Sequence, residues 1–358
     1  MADGITYGLI GAGMMGNEHL RTLLLLADSR IVAVADPHAE SIDQARRTLA
    51  ARAVDVAFAA DYRDLVGRSD VDVWIIATPN HSHAKVLFDV LPVAGAVLVE
   101  KPLCTTLADC LAVVAACVRR AAPVWVGLEY RHMPPMREFI RRLHAGAVGN
   151  LKMLSIREHR QPFLVKVGDW NRFGRNTGGT LVEKCCHFFD LMRCMIKSEA
   201  VSVYACGGQD VNHLDERYNG ETPDILDNAF VIVEFANGVR AQLDLCMFAE
   251  GAAQQEEVVA VGDVARLDLS IPAGEIILSP RRPRGVVREV IDVPAAALAS
   301  GSHFGATYFQ HLALQQVLRS GAAPVTSVDD GLRSVAIGLA AHRSIDERRV
   351  VQMREFGL

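Results

Sequence analysis

The chain has 358 residues and half of them are hydrophobic, which is enough for two domains with a large core. Its formal net charge is −5 and it carries no basic tract, which argues against nucleic acid or an anionic membrane as a partner. We expect a cytoplasmic protein, because no signal peptide precedes the first predicted strand and no apolar run could span a bilayer. The eight cysteines lack C-x-x-C spacing and are expected to be reduced thiols.

The first motif is a glycine-rich turn, in which Gly11, Gly13 and Gly16 fit the pattern G-x-G-x-x-G. An apolar run of strand character precedes it, a predicted helix follows it, and a second apolar run ends at Asp36. This unit predicts a dinucleotide site, with the phosphates at the helix start and the ribose hydroxyls on Asp36. A carboxylate repels a 2′-phosphate, so we predict NAD over NADP. The alternative is a glycine turn in another kind of α/β domain. The predicted cofactor contacts in this stretch are Gly11, Gly13, Met14, Met15, Gly16 and Asp36.

The rest of the first third alternates predicted strands with predicted helices, and this predicts a parallel, doubly wound sheet. In such sheets ligands bind beyond the carboxyl ends of the strands. Polar side chains stand at those ends and are predicted to contact the cofactor, namely Thr78, Asn80, His83, Glu100 and Lys101. The ammonium of Lys101 could polarise a substrate hydroxyl or carbonyl there, or relay its proton. The alternative is a surface lysine that follows a strand.

The pattern changes near residue 129, after which strand-like segments and hairpins dominate. Asn237-Gly238 suits a type I′ turn between two alternating segments, and Gly262-Asp263 repeats the arrangement. We predict an α/β fold with two domains, a Rossmann domain over 1–128 and an α/β domain with a large, mostly antiparallel open sheet over 129–358. The outer face of that sheet is a candidate interface for a homodimer or homotetramer.

A second chemical stretch follows Gly178-Gly179. On a continuous helix Glu183 and His187 would share one face, and a carboxylate one turn away can orient an imidazole and stabilise its charged form. His187 is therefore a candidate acid/base, although a lone helical histidine is often structural. A metal site with Cys185 or Cys186 is disfavoured, because adjacent cysteines point in different directions and no second histidine follows at helical spacing. No metal is predicted.

Taken together, these motifs resemble the glucose–fructose oxidoreductase/inositol 2-dehydrogenase family, usually called Gfo/Idh/MocA. The residues that carry the resemblance are Gly11–Gly16, Ala35-Asp36-Pro37, Ala77–Asn80 with His83, Glu100-Lys101-Pro102, Gly178-Gly179 with Glu183 and His187, and the tail 324–350. The resemblance implies that Lys101 is the catalytic lysine and that His187 is the acid/base of an Asp-x-x-x-His motif. Glu183 stands where the sugar and inositol dehydrogenases of the family usually have Asp, so the substrate pocket is expected to differ from that of a plain inositol dehydrogenase.

The substrate contacts are the least specific part of the interpretation. A cationic segment over 157–176 and the start of a closing helix supply the candidates, which are Arg157, Trp170, Arg172, Arg175, His303 and Tyr308, beside Lys101 and His187. Trp170 could stack on a sugar face. The alternative for most of these residues is a solvated loop or a core tryptophan.

Three functions are consistent with the sequence. The first is an NAD-dependent dehydrogenase that oxidises a secondary hydroxyl of a cyclic polyol, sugar or glycoside. The second is an NAD-dependent glycoside hydrolase that works by transient oxidation, elimination and re-reduction, and here the arginines would suit an anionic, for example sulfonated, sugar. The third is a catalytically silent dinucleotide sensor, against which the presence of both Lys101 and His187 argues.

Overall fold

A computed structural model describes residues 4–50, 55–93, 95–301 and 303–358. The strands, in chain order, are Ile5–Ile10 (β1), Ser29–Ala35 (β2), Ala57–Ala59 (β3), Val73–Ile76 (β4), Ala96–Glu100 (β5), Val124–Gly127 (β6), Leu151–His159 (β7), Ala200–Gly208 (β8), Asn228–Phe235 (β9), Arg240–Cys246 (β10), Glu256–Gly262 (β11), Ala265–Ile271 (β12), Glu275–Pro280 (β13), Val287–Val290 (β14) and Val351–Gln352 (β15). The helices are Met14–Leu25 (α1), Ala39–Leu49 (α2), His83–Val90 (α3), Leu107–Cys117 (α4), Pro134–His144 (α5), Gly174–Thr177 (α6), Thr180–Glu183 (α7), Cys186–Ile196 (α8), Ala295–Leu298 (α9), Ala306–Ser320 (α10) and Val328–Glu347 (α11).

The first sheet is parallel throughout, with strand order β3-β2-β1-β4-β5-β6. Its central strands are buried on both faces, as their continuous apolar runs predict, and every residue of β4 and β5 is buried. The order reverses at β1, so the loops after β1 and β4 stand at the topological switch point where such sheets bind ligands. This sheet positions the predicted cofactor residues.

The second sheet has nine strands in the order β14-β13-β12-β11-β7-β10-β9-β8-β15, and only the β7–β10 pair is parallel. The predicted fold class, a Rossmann sheet plus a mostly antiparallel one, is confirmed. Burial alternates along β9 and β10, so one face of this sheet is core and the other is open. The open face carries exposed apolar side chains, among them Met153, Tyr204, Phe230 and Ile232.

The hairpin between β9 and β10 forms where the sequence predicts it, but its turn is not type I′. Gly238 has a positive φ of 82°, and its N–H donates to the carbonyl of Phe235 at 2.8 Å, while Asn237 is not left-handed. A type I′ turn needs a positive φ at both central residues, so one glycine in the left-handed region indicates a type I turn with a bulge instead.

The chain divides into two compact units that are not contiguous in sequence. Residues 1–129, 166–168 and 294–332 form the first, and residues 130–165, 169–293 and 333–358 form the second. The predicted boundary at 128/129 assigns residues 294–332 to the second domain, whereas in the structure these residues belong to the first unit. Their place in the first unit is fixed by α10, whose Leu314 and Val317 belong to the same apolar core as β1 and α1.

None of the helices within the described residues is both long and apolar enough to cross a membrane.

Candidate functional site

The glycine turn joins β1 to α1 in the first unit. Gly11 has a φ of +91°, and a Cβ on it would lie 2.6 Å from the carbonyl oxygen of Ala77. A Cβ on Gly16 would lie 2.0 Å from the carbonyl oxygen of Gly11, so the helix packs on the turn too closely for any side chain there. Gly13 differs, because no described atom lies within 4 Å of a Cβ placed on it. The turn is therefore closed at Gly11 and Gly16 and open at Gly13.

Helix α1 begins at Met14, within the glycine-rich motif itself. Gly13 is its N-cap and offers no side-chain hydrogen bond to the helix start, so the first N–H groups are left for a ligand. Met14 is exposed and Met15 half-buried beside this helix start. The backbone and the open Gly13 side fit a pyrophosphate.

Asp36 follows β2 and reaches back to the glycine turn. One carboxylate oxygen accepts the N–H of Ala12 and the other accepts the N–H of His38, each at 2.7 Å. The side chain is thus held beside the turn, and each oxygen keeps a lone pair for a ribose hydroxyl. Asp36 therefore has a structural task, anchoring the turn at Ala12, that the sequence did not reveal.

The loop after β4 brings Thr78, Asn80 and His83 to the same sheet edge. Asn80 is buried, and within the described residues no acceptor lies within reach of its Nδ2. An unused buried donor at this edge fits a hydrogen bond to the cofactor. Thr78 instead takes a hydrogen bond from Ser82 at 2.8 Å.

His83 has no exposed surface, and it supports the site from below instead of lining it. Its ring nitrogens lie 2.8 Å from the carbonyl oxygen of Pro102 and 3.0 Å from that of Thr78. Burial lowers the pKa of His83, so the ring is neutral and donates one of these hydrogen bonds. It ties the loop after β4 to the loop that carries Lys101.

Glu100 is the last residue of β5, Lys101 follows it, and the Lys101–Pro102 peptide is cis. The sequence predicts a cofactor contact for Glu100, but its carboxylate is buried and lies 2.9 Å from Nε2 of His19. The other ring nitrogen of His19 lies 2.9 Å from Nε2 of His311 on α10. Burial lowers the pKa of His311 well below its usual value, so this ring is neutral. A buried chain of Glu100, His19 and His311 thus stands directly behind half-buried Lys101.

A second buried cluster surrounds the start of α10. The hydroxyl of Thr307 lies 2.7 Å from carboxylate oxygens of both Glu18 and Glu129, and His303 lies 3.3 Å from Glu129. A hydroxyl donates one proton, so one of the two acids must itself donate to Thr307. Burial and the charge of Glu129 raise the pKa of Glu18, which is therefore the protonated one. Burial opposes ionisation of Glu129, but His303 and Thr307 outweigh it and hold its pKa at about 2.

Two predicted substrate residues, His303 and Tyr308, lie in this region of the first unit. His303 is one quarter exposed and pairs with Glu129. Tyr308 is half-buried, packs against the apolar core and meets Phe309 edge to face. Neither Glu18 nor Glu129 was predicted, although Glu129 follows a parallel strand and so satisfies the same positional rule as Lys101.

In the second unit the stretch around His187 is not one continuous helix. Helix α7 ends at Glu183 and α8 begins at Cys186, with a turn at Lys184-Cys185 between them. Glu183 and His187 therefore belong to two different helices, and the i, i+4 spacing of a single helix does not apply to them. Both residues are buried, and Asp190, one turn further along α8, is bound by the guanidinium of Arg131 at 2.5 Å.

His187 has an aromatic neighbour that the sequence did not reveal. Its ring stacks on Tyr130 with ring centroids 4.0 Å apart and an interplanar angle of 8°. The Tyr130 hydroxyl accepts a hydrogen bond from Lys184 at 2.6 Å, and Lys184 pairs with Glu158 at 2.9 Å. Tyr130 comes three residues after the last residue of β6, so the positional rule that found Lys101 also applied to it.

The two cysteines beside His187, Cys185 and Cys186, are buried. Among the described residues, the group of ligand atoms close enough to share an ion is Glu18, Glu129 and His303, all within 4.8 Å of one another.

The predicted cationic substrate segment is neutralised by acids from distant parts of the chain. Arg157 pairs with Glu257 on the neighbouring strand β11. Arg172 is buried and pairs with Glu216 at 3.0 Å. Arg175 is more than half exposed, pairs with Glu221 at 2.5 Å and lies over the Phe173 ring.

These pairs change the prediction for the segment. Arg172 is a structural tie between 167–172 and the segment around Glu216, so a substrate role for it is not supported by its position. Trp170 is half-buried, and its carbonyl accepts a hydrogen bond from Asn176 at 2.9 Å. Arg175 is the most exposed of the three guanidinium groups, and it keeps the most freedom to meet a ligand.

The sequence matches one protein family over most of its length. Residues 5–128 match a model described as an oxidoreductase family with an NAD-binding Rossmann fold, and residues 140–353 match the C-terminal alpha/beta domain of the same family, GFO_IDH_MocA. Inositol 2-dehydrogenase 1 of Saccharopolyspora erythraea is 29% identical over 287 residues, 76% of each chain. Inositol 2-dehydrogenase 2 of that organism is 28% identical over 349 residues, 93% of this chain and 94% of the relative.

Solved structures share the fold over nearly the whole chain. An oxidoreductase domain protein from Kribbella flavida superposes with a TM-score of 0.86 at 20% identity, covering 98% of this chain and 99% of that one. A levoglucosan dehydrogenase in complex with NADH and levoglucosan gives a TM-score of 0.82 at 20% identity, with the same coverage. The family matches confirm the predictions of an oxidoreductase of this family and of NAD as its cofactor.

Proposed function

The chain belongs to the Gfo/Idh/MocA oxidoreductase family, and we propose that it oxidises a secondary hydroxyl of a cyclic polyol, sugar or glycoside with NAD as the hydride acceptor. Relatives named inositol 2-dehydrogenase and a structural neighbour bound to NADH and levoglucosan support this substrate class. The observation that carries the proposal is His187, a buried imidazole fixed against Tyr130, in a chain whose other unit holds an NAD turn and Lys101.

The chain's own residues have three tasks in this reaction. The glycine turn and Asp36 hold the dinucleotide, whose nicotinamide accepts the hydride when bound. His187 takes the proton of the substrate hydroxyl as general base, and the Lys101 ammonium polarises a substrate oxygen. Glu183, the last residue of α7, favours the charged form of His187 after proton transfer.

Replacement of His187 and Lys101 tests these assignments. His187→Ala is expected to lower turnover by roughly two to four orders of magnitude while NAD affinity stays near normal, because a general base acts on the chemical step. Lys101→Ala is expected to have a similar effect, and the double variant should lose much less than the product of the two.

The matched controls are His144→Ala and Lys85→Ala. His144 contacts backbone carbonyls at the far end of α8, and Lys85 is exposed on α3. Both controls should retain full turnover. Full turnover in His187→Ala would remove His187 from the reaction.

Net NADH formation separates a dehydrogenase from a glycosidase that re-reduces its product. A panel of polyols, sugars and glycosides is followed at the NADH absorbance band, with chromogenic glycosides run beside it. A dehydrogenase forms one NADH for each substrate oxidised. Release of the chromophore without net NADH would instead establish the hydrolase, with its transient oxidation.

We further propose that the open face of the second sheet pairs with a second copy of this chain. Tyr204, Phe230 and Ile232 are 43% to 60% exposed on the adjacent strands β8 and β9, and Met153 is 58% exposed on β7 of the same sheet, which is more than isolated apolar surface residues. Phe230→Lys with Ile232→Lys should shift the mass measured by light scattering to that of a monomer. An unchanged mass would place the interface elsewhere.

A further inference from the structure

We propose that Tyr130 is a positioning residue for His187, and that the buried Lys184–Glu158 ion pair, acting through Tyr130, sets how readily His187 takes up a proton. This inference rests on the proposed role of His187 as the general base. All four side chains belong to the second unit, and none of them except His187 was singled out by the sequence.

The contact between Tyr130 and His187 is a parallel stack. Tyr130 is 1% exposed and its ring lies 4.0 Å from that of His187, at an interplanar angle of 8°. Phe188 meets Tyr130 edge to face with centroids 5.7 Å apart, so the phenol ring is held from a second side. A fixed phenol ring restricts the imidazole plane, which aims the nitrogen that must meet the substrate proton.

Lys184 anchors the polar end of Tyr130. Its Nζ donates to the Tyr130 hydroxyl at 2.6 Å and lies 2.9 Å from a Glu158 oxygen, and the Lys184 and Glu158 side chains are 5% and 0% exposed. Lys184 also lies 4.9 Å from the Tyr130 ring centroid and 5.4 Å from that of Phe188. Because Lys184 is buried, its bonds to Tyr130 and Glu158 hold the ammonium group in one position.

Other charged groups face this pair and His187. Arg160 lies 3.4 Å from Glu158, and Glu256 stands opposite Glu158 in the β7–β11 register. Glu183 precedes His187 at the end of α7. Burial lowers the pKa of Lys184, and Glu158 opposes that shift. Arg160 and Glu256 carry opposite charges, so the changes tested below are dominated by Lys184 and Glu158.

The two members of the pair should act on His187 with opposite signs. The Lys184 ammonium lies within about 9 Å of the imidazole, because it is 4.9 Å from the Tyr130 centroid and the two rings are 4.0 Å apart. A positive charge at that distance disfavours imidazolium and lowers its pKa by about one unit at an effective dielectric constant of 20. The Glu158 carboxylate offsets this effect. Loss of either member alone therefore leaves a single uncompensated charge near His187.

The test measures the titration of His187 by NMR in histidine-labelled protein, with His187→Gln to assign its signal. Lys184→Met should raise the His187 pKa by about one unit, and Glu158→Gln should lower it. The double variant removes both charges of the pair and should titrate between the two single variants. If either single variant fails to fold, the His187 titration of the double variant is compared with that of the unaltered protein instead.

Turnover supplies the second readout. The lower limb of the pH profile of kcat/KM should move with the NMR value in each variant. Tyr130→Phe, which keeps the stack, should retain more turnover than Tyr130→Leu, while KM stays similar in both.

The outcomes separate this inference from the proposed function. Identical His187 titration in all variants, with His187→Ala inactive, would overturn the inference alone. Shifted titration with His187→Ala fully active would overturn the proposed function on which the inference rests, and with it the catalytic meaning of the pair.

Discussion

Gly13 and Gly16 lie three residues apart in one turn, yet alanine should have opposite consequences at the two positions. A Cβ on Gly13 meets no described atom within 4 Å, and its φ of −69° suits any residue. Gly13→Ala should therefore leave the free protein as stable as before, or slightly more so, because alanine restricts the unfolded chain. If the open side of the turn holds the NAD pyrophosphate, the methyl group occupies the space that the phosphate needs.

The size of the effect follows from linkage. NAD at about 100 times its Kd stabilises the folded protein by about 2.7 kcal/mol. If the methyl group weakens binding by about a hundredfold, the same NAD concentration contributes only about 0.4 kcal/mol. At about 2–4 °C per kcal/mol, the NAD-induced rise in Tm should fall from about 5–11 °C to about 1–2 °C.

Gly16→Ala is the matched control for packing. Its Cβ would lie 2.0 Å from the Gly11 carbonyl oxygen, a backbone atom that cannot swing aside. Overpacking of this kind costs about 1–3 kcal/mol, so the Tm of the free protein should fall by several degrees. Thermal shift with and without NAD measures both variants. An unchanged NAD-induced shift in Gly13→Ala would show that the phosphates bind elsewhere, and a fully stable Gly16→Ala would contradict the packing of α1.

Three further predictions follow from the charged residues. Asp36→Ala should reduce the preference for NAD over NADP, and it should also weaken NAD binding because the N–H of Ala12 loses its acceptor. Fluorescence titration with each cofactor measures both affinities. Tighter binding of NADP than of NAD by the unaltered protein would contradict the role assigned to Asp36. Arg172→Gln should lower the free energy of unfolding by about 2 kcal/mol in a urea titration, because it breaks a buried ion pair. Arg175→Gln should leave the free energy of unfolding unchanged and should raise KM only if the substrate is anionic. Unchanged kinetics for both variants would remove the segment 157–176 from the substrate site. Glu18→Gln should cost less stability than Glu129→Gln, because burial and the charge of Glu129 raise the pKa of Glu18; Glu129→Gln should lose about 2–3 kcal/mol. Because the Glu129 pKa is lowered to about 2, that loss should be full above its unfolded value and vanish as pH falls toward 2; equal losses in both variants would mean that both acids are ionised.

The positions of the candidate cofactor residues at the sheet edge were predictable because their signals are local. Continuous apolar runs predict strands buried on both faces, and the glycines, Asp36 and Lys101 follow those strands directly. A residue at the carboxyl end of a parallel strand lies at the edge of the sheet where ligands bind, and this position does not depend on contacts with distant segments of the chain. The same rule, applied to the end of β6, would also have singled out Glu129 and Tyr130.

The remaining features depend on contacts between distant parts of the chain. Thr307 and His311 look like ordinary polar residues of a closing helix, and only the fold brings them to Glu18 and His19. The acids that neutralise the predicted cationic segment come from β11 and from around Glu216. Hydrophobic periodicity does not show which distant acid will pair with a given arginine. The break at Lys184-Cys185 has no glycine or proline to mark it, so the apolar pattern suggested one helix.

These missed contacts have one physical property in common. Glu100, His19 and His311 are buried behind Lys101, and Lys184, Glu158 and Tyr130 are buried behind His187. Buried ionic groups can often be replaced by apolar residues without loss of stability, so stability alone does not account for two such clusters. Each cluster is hydrogen-bonded to, or stacked on, the residue proposed for proton transfer or its direct neighbour. Substitutions in these clusters should therefore alter turnover and its pH dependence more than equally buried substitutions in the apolar core of either unit.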